Sequence, residues 1–353
     1  MIRKLTIDNF KSVNNVEMPC ANLNLLVGTN SSGKSTILQA LLLFAQHMSK
    51  SQGLSGYFVS LGTYDEIKCV YSGKTKVQIS VVTQEGEDAD IELEKYDNGY
   101  SIKKNPLNVK AFADKFDYEQ RQIQYLSCHR IGPQNLYKKN MNMIDTIGID
   151  GSYAISYLNM HASDPLDNKM CKNTQDFTLA AQVNWWLKYI IDTEVKTEEI
   201  AGADMIKASY LAEGGIQIRP QNVGSGISYL ISIIITCFAA PEESIIVIEN
   251  PEIHLHPAAQ SRVCDFLYFI SKNNRQLFVE THSDHIFNGY RAMIATGEMS
   301  SSDININFVY LNEQHMTEIE LVKFGRFGRI ENQRENLFDQ FDIDLNKMIG
   351  DQL

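Results

Sequence analysis

Apolar and polar residues alternate from Ile2 to Ile7, the pattern of a strand with one buried face. Asn9-Phe10-Lys11-Ser12 reads as a turn, and Val13 to Met18 as a second, antiparallel strand. Leu23 to Val27 is a continuous apolar run, long enough for one buried strand. A loop holding Gly28 and Gly33 follows. An apolar-rich helical pattern then runs from Thr36 to about Met48, its start near Lys34. Ser49 to Gly62 is polar and predicts a loop.

Lys76 to Thr83 and Asp90 to Lys95 alternate with period two, with Gly86 between them. Asp97-Asn98-Gly99 turns into Tyr100 to Lys103, which completes an antiparallel meander. This predicts a β lobe over residues 64–104. Gln122 to Leu126 predicts a strand returning to the core. Tyr153 to His161 and Thr178 to Ile191 have helical spacing, and one Trp of the Trp185-Trp186 pair in the second suits core packing. Residues 150–200 therefore read as an inserted helical lobe.

Asp204 to Leu211 and Ile216 to Arg219 return to strand pattern, divided by Gly214-Gly215. After Gly226 a long apolar helix runs to about Ala240. Ser244 to Ile248 is a β-branched run suited to a strand covered on both faces. Pro257 to Ser271 is helical, and Gln276 to Val279 is another buried strand. Ile306 to Leu311 and Glu318 to Val322 close the sheet, leaving a tail over residues 324–353. Strands alternating with helices around Leu23 to Val27 predict an α/β chain with a mixed central sheet.

Composition narrows the class. Of 353 residues, 44% are hydrophobic and 21% charged, which fits a globular protein. The net charge of −11 argues against a broad basic coat for non-specific nucleic-acid binding. Cys20, Cys69, Cys128, Cys171, Cys237 and Cys264 form no C-x-x-C pair and read as reduced thiols, so a cytoplasmic location is expected. The N-terminus lacks the apolar core of a signal peptide. The most apolar stretch, Ile227 to Ala240, is too short to span a bilayer, so no membrane association is expected.

The chemistry begins at Gly28 to Ser35, spelled Gly-x-x-x-x-Gly-Lys-Ser between a predicted strand and a helix, the setting of a phosphate-binding P-loop. Gly28 and Gly33 let the backbone bend close to phosphate oxygens. The amides of Asn30, Ser31, Ser32, Gly33, Lys34 and Ser35 would point into the loop, and the helix adds its positive end. Lys34 supplies a point charge for β and γ phosphates. Ser35 supplies a hydroxyl for Mg²⁺.

Two further strands end in acids. Glu249 closes the β-branched strand, where it would stand at the sheet edge beside the P-loop strand and hold Mg²⁺ directly or through water. Glu280-Thr281-His282-Ser283 repeats the geometry, and His282 would reach the γ-phosphate or orient the attacking water. Gly224-Ser225-Gly226 opens the long apolar helix and offers a second anion grip, which invites a two-chain sandwich. His254-x-His256 with His282-x-x-His285 has zinc-like spacing, but the P-loop context accounts for most of that set.

These pieces together resemble the ABC-type ATPases of the SMC/OLD-like branch, and more narrowly the small standalone bacterial ATPases of antiphage defence operons. The resembling segments are I-D-N-F-K-S at Ile7 to Ser12, G-T-N-S-S-G-K-S-T at Gly28 to Thr36, N-V-G-S-G-I-S from Asn222, I-E-N-P-E-I-H-L-H-P from Ile248, and T-H-S at Thr281 to Ser283. The resemblance implies one P-loop NTPase domain over residues 1–353 with an ABC-type head, binding ATP and Mg²⁺. Gly28 to Thr36 would be its Walker A loop, with Phe10, Lys11 and Ser12 near the base and phosphates. Asn222, Gly224, Ser225 and Gly226 would lie in the signature motif that grips the γ-phosphate held by a second subunit. Glu249 would take the Walker B position and His282 the switch position. Gln134, or else Gln124, would be the Q-loop glutamine near the metal. Leu255-His256-Pro257 would lie at the dimer seam.

Two departures matter. Glu249 stands where an Asp is usual, and Asn250 where a catalytic Glu is usual. An amide cannot act as general base, so either Glu252 or Glu280 assists or turnover is slow; losing a base commonly forfeits about 10²–10⁴ in rate. No stretch between the P-loop and the signature region is long enough for a heptad insertion, and no nuclease-like acidic cluster follows the ATPase motifs; Asp342-Ile343-Asp344 is too isolated for a two-metal site. The expectation is a dimeric ATP-driven switch that controls a separately encoded effector, with a nucleic acid or phage-derived molecule as trigger. A nucleotide-clamped scaffold and a DNA-repair or DNA-end ATPase are the alternatives.

Overall fold

The computed structural model describes residues 1–97, 99–105 and 110–349. Asn98 of the expected turn and residues 350–353 of the tail lie outside the described residues. The chain opens with β1 (Ile2–Phe10), β2 (Val13–Pro19) and β3 (Leu23–Val27), then helix α1 (Lys34–Lys50) and the single turn α2 (Tyr64–Ile67). β4 (Lys76–Thr83), β5 (Asp88–Tyr96) and β6 (Gly99–Asn105) follow, then α3 (Lys110–Asp114), β7 (Ile123–Leu126) and β8 (Leu136–Lys138). Next come α4 (Ala154–Met160), α5 (Leu179–Ile191), β9 (Glu194–Glu199), β10 (Met205–Leu211), β11 (Gln217–Ile218) and α6 (Gly226–Ala239). β12 (Ile245–Glu249), α7 (Pro257–Lys272), β13 (Gln276–Glu280), α8 (Asp284–Thr296), β14 (Ile304–Leu311), β15 (Thr317–Leu321) and α9 (Gln340–Ile349) complete it.

The central sheet has the order β15-β14-β3-β13-β12-β7. β14, β3, β13, β12 and β7 run parallel, and β15 turns back antiparallel on β14. Every residue of β3, β12 and β13 is buried, as continuous apolar runs require when helices cover both faces. On one face lie α5, α6, α7 and α8, which share a core with Leu25, Val27, Ile248 and Val279. On the other lies α1, packed against Leu26 and Phe278.

Helix α1 has no wet face along most of its length: Ile37, Leu38 and every residue from Ala40 to Met48 are buried. A second sheet, order β2-β1-β4-β5-β6, covers its far side. The expected meander is present, but it does not start a lobe of its own at residue 64. β4 pairs along β1, with Ile7 opposite Ile79, so the antiparallel layer includes the N-terminal hairpin. The free edge of β1 and the apolar faces of both elements favour that join.

Residues 150–200 hold α4 and α5 but end in β9, which pairs with β10. Glu194-Val195-Lys196-Thr197-Glu198-Glu199 has one apolar position, so no alternation announces it; backbone pairing at a sheet margin holds it. Trp186 is buried on Phe266 and Phe269, whereas Trp185 is only half-buried. All six cysteines are free thiols. Among the described residues, no helix is long and apolar enough to cross a membrane.

Candidate functional site

The loop between β3 and α1 is shaped by its neighbours as well as by its own sequence. Gly28 has φ 144°, and a Cβ there would lie 2.1 Å from the Val309 carbonyl oxygen on β14. Gly33, at φ 108°, would drive a Cβ to 2.2 Å from Thr317 Oγ1 on β15. Only glycine fits either place. Thr29, Asn30, Ser31 and Ser35 are exposed at the mouth, while Ser32 and Lys34 are buried. Gly33 caps α1, whose first turn contains no acid to cancel the positive helix end.

Lys34 Nζ donates to the carbonyl oxygens of Gly28 at 2.9 Å and Thr29 at 2.7 Å, spanning the loop. Burial pushes its pKa down, against the pull of Glu280 and Glu252. Those two acids and His282 are thus within electrostatic reach of the loop.

The sheet order changes which acid faces Ser35. β13 runs between β3 and β12, so Glu249 stands one strand further from the P-loop than its sequence position suggested. Its carboxylate accepts from Tyr125 Oη at 3.0 Å and the Cys128 amide at 2.9 Å, which ties it toward β7. Glu280, on the strand beside β3, accepts from Ser35 Oγ at 2.9 Å. Its other oxygen is buried and has no partner among the described residues. Burial and the adjacent Glu249 push the Glu280 carboxyl up to about 7. Glu249 and Glu280 are register partners on neighbouring strands.

Ser35 and Glu280, with Glu249 alongside, form an all-oxygen donor set with an unanswered carboxylate oxygen, and that set fits Mg²⁺. Gln134 is not brought to it. That side chain is exposed on the loop after β7; the Gln134 backbone N–H donates to Tyr137 Oη, and the adjacent Asn135 Nδ2 donates to Gln221 Oε1. Gln124 is buried and donates to the Thr236 carbonyl oxygen, a core role rather than a metal-side one.

The turn after β12 is held by a side chain that motif reading passed over. Arg130, buried, donates to the carbonyl oxygens of Ser127, Glu249 and Asn250. Asn250 sits at φ 45°, which Asn tolerates better than most residues. Its Nδ2 donates to Glu252 Oε1 at 3.3 Å. Glu252 also accepts from the His282 amide and Thr281 Oγ1, both at 2.8 Å. The Glu252 carboxylate therefore joins the turn after β12 to the segment after β13. His282 is exposed, with Nε2 4.0 Å from Glu280; burial of its inner edge and Lys34 push its pKa down.

The β1–β2 turn closes the loop from outside. Lys11 Nζ donates to Gln39 Oε1 at 2.6 Å on α1. Ser12 meets Thr317 twice, through the Thr317 amide to its carbonyl oxygen and between the hydroxyls at 2.7 Å. Thr317 Oγ1 also donates to the Ser32 carbonyl oxygen at 2.9 Å. Thr317 thus joins three segments. No sequence motif marks it; only its place opening the last strand could have drawn notice.

Asn222 and Gly224 are exposed and Ser225 is half-buried at the start of α6. A Cβ on Gly226 would lie 2.4 Å from the His254 carbonyl oxygen, so this turn and the segment after β12 abut. Together they line an open groove of about 280 Å³ with Ile190, Ile191 and Leu255. His254 stacks on Tyr229, and His256 caps α7 through Nδ1. Each of these two histidines is engaged singly, and among the described residues no cluster of three or more metal-ligating His, Cys, Asp or Glu side chains forms.

The sequence profile of the AAA ATPase domain family matches residues 1–130 and 63–287. An OLD nuclease of Thermus scotoductus is 22% identical over 371 aligned positions, covering 96% of this chain and 70% of that protein. An SMC head bound to the C-winged helix domain of ScpA superposes with a TM-score of 0.57 at 15% identity, covering 91% of this chain and 97% of that one. The SMC head of Thermotoga maritima gives 0.52 at 14%, with 91% and 99% covered. The SMC head with an extended coiled coil from Pyrococcus furiosus, bound to the C-terminal domain of ScpA, gives 0.56 at 14%, with 91% and 96% covered. The fold is that of an SMC head, with mixed and antiparallel sheets flanked by helices.

Proposed function

Because the chain belongs to the AAA ATPase domain family, and so is an ATP-binding ATPase of SMC/OLD-like kind, we propose that it works as a Mg²⁺-dependent, slowly hydrolysing switch that dimerises across ATP. The observation that carries the reading is the pairing of Ser35 with Glu280 under a loop spanned by Lys34. Ser35 and Glu280, with Glu249 nearby, would hold the metal, which when bound neutralises charge on the phosphates. Lys34 and the α1 N-terminus bind phosphate oxygens. Lys11 and Ser12 flank the same loop from the β1–β2 turn.

Asn250 leaves the turn after β12 without a carboxylate at that position, and the Glu252 carboxylate is occupied by three donors. Glu252 therefore positions His282 and Thr281, and water activation is left to His282 or Glu280. Slow turnover follows, and with it a long-lived nucleotide complex. The same observation favours a second reading, a nucleotide-clamped scaffold with little hydrolysis. Single-turnover hydrolysis of pre-bound ATP separates the two.

The turn at the start of α6 supports a dimer, since Asn222 and Gly224 are exposed and Ser225 is half-buried, open to a second copy. The SMC heads crystallised with ScpA support a protein partner; the defence setting and the separately encoded effector rest on the motif resemblance alone. Sedimentation with and without Mg²⁺ATP tests the dimer. Wild type should shift to twice its mass, Ser225→Arg should bind ATP yet stay monomeric, and Lys34→Ala should do neither. Tight ATP binding by a wild-type protein that remains monomeric would overturn the switch.

A further inference from the structure

Away from the nucleotide loop, α5, α7 and the end of α8 enclose an open cleft of about 430 Å³, within the range of small-molecule sites. Trp185, Trp186, Tyr189 and Phe269 form its aromatic walls, with Lys172 and Lys272 beside them. Trp185 stacks on Tyr189 with the planes 14° apart.

The polar groups of the cleft are unevenly satisfied. Its carboxylates are engaged: Asp265 Oδ2 accepts from Tyr189 Oη at 2.6 Å, and Glu298 Oε1 from Thr296 Oγ1 at 2.9 Å. Its donors are not. Trp186 Nε1 is buried with no acceptor among the described residues. Lys172 Nζ lies 5.0 Å from the Phe269 ring centroid and forms no ion pair among the described residues. Lys272 has one carboxylate, Asp303, at 3.6 Å. The π faces of Phe269, Tyr268 and Tyr189 already carry Lys172, Lys272 and Arg262, which disfavours a cationic guest.

We infer that this cleft binds a small planar aromatic anion, its ring against Trp185 and its anionic oxygens at Lys172 and Lys272. The site stands independently of the nucleotide reading. The protein has two tryptophans, and both line the cleft, so indole fluorescence reports its occupancy directly. The probe is 4-nitrobenzenesulfonate, an aromatic anion that quenches indole, compared with neutral 4-nitrobenzyl alcohol and cationic 4-nitrobenzylamine. The anion should quench saturably and more tightly than either analogue. The double variant Lys172→Ala/Lys272→Ala should weaken it at least tenfold with unchanged circular dichroism. In wild type, added NaCl should weaken the anion and leave the alcohol unaffected. Quenching by the anion that rises linearly without saturating, saturable binding unchanged in the double variant or by salt, or a preference for the amine would each overturn the assignment.

Discussion

Thr317→Val isolates the contact that joins the last strand to the nucleotide loop. The Thr317 hydroxyl has one hydrogen, and the geometry gives it to the Ser32 carbonyl oxygen at 2.9 Å. Ser12 Oγ must then be the donor in the 2.7 Å hydroxyl pair. Valine keeps the shape against Gly33 but removes both bonds. The Ser12 hydroxyl is half-buried and can turn to water. The carbonyl of buried Ser32 cannot, and stranding it costs about 1–3 kcal/mol beyond roughly 1 kcal/mol for the lost pair. A loss of about 3 kcal/mol results. With an unfolding entropy near 2.1 cal/mol/K per residue, a chain of 353 residues should lose about 4 °C in Tm. The loop also becomes less pre-organised, so ATP should bind roughly tenfold more weakly, about 1.4 kcal/mol of the total. Thr317→Ser keeps the hydroxyl and should hold ATP affinity within about threefold of wild type. Calorimetric unfolding and ATP titration of the three proteins read both quantities. If valine leaves Tm within 1 °C and affinity within twofold, the contact does not organise the loop.

Other outcomes follow from the same site. Glu280→Gln should abolish Mg²⁺-dependent ATP hydrolysis while stabilising the metal-free protein in a pH-dependent way. The folded carboxyl is raised from 4.5 to about 7, so its ionisation penalty is absent below pH 4.5, builds between, and is complete above 7. Denaturant titrations with chelator should therefore show a gain of up to about 3 kcal/mol at pH 8 and almost none at pH 4.5; an equal gain at both would contradict the buried charge. Lys34→Ala should leave the fold intact and remove ATP binding measurable at micromolar protein. Asn250→Glu should speed steady-state hydrolysis by about 10²-fold if a missing base limits turnover, less whatever the left-handed backbone at that position costs, roughly 1–2 kcal/mol. Arg130→Lys, which cannot reach three carbonyl oxygens in a planar fork, should lower kcat more than it changes the KM for ATP.

Much of the architecture is legible in residue patterns, and the exceptions have physical causes. Strands β3, β12 and β13 announce themselves because burial on both faces demands unbroken apolar runs. Helix α6 does so by the same logic. The position of Glu249 relative to Ser35 was not legible, because strand order is a long-range choice that local pattern does not carry. A chain can show that two strands end in acids without showing which lies next to the P-loop. β9 was missed because edge pairing satisfies its backbone without apolar side chains, and β8, three residues long, is too short for any periodicity. Arg130 and Thr317 act through backbone carbonyls, and such contacts leave no spacing rule to find. The loop glycines were recognised for their phosphate chemistry, yet their immediate constraints are Val309 and Thr317.

Strand β3 has a history imposed by its position. It lies near the start of the chain, yet both its neighbours, β13 and β14, come from beyond residue 275. During synthesis at roughly 5–20 residues per second, Leu23 to Val27 waits tens of seconds for either partner to leave the ribosome. Throughout that interval an unpaired apolar ribbon trails from the growing chain, a natural substrate for holding chaperones. Nucleotide cannot rescue the nascent polypeptide, since the cradle that would bind it takes shape only when the final strands arrive.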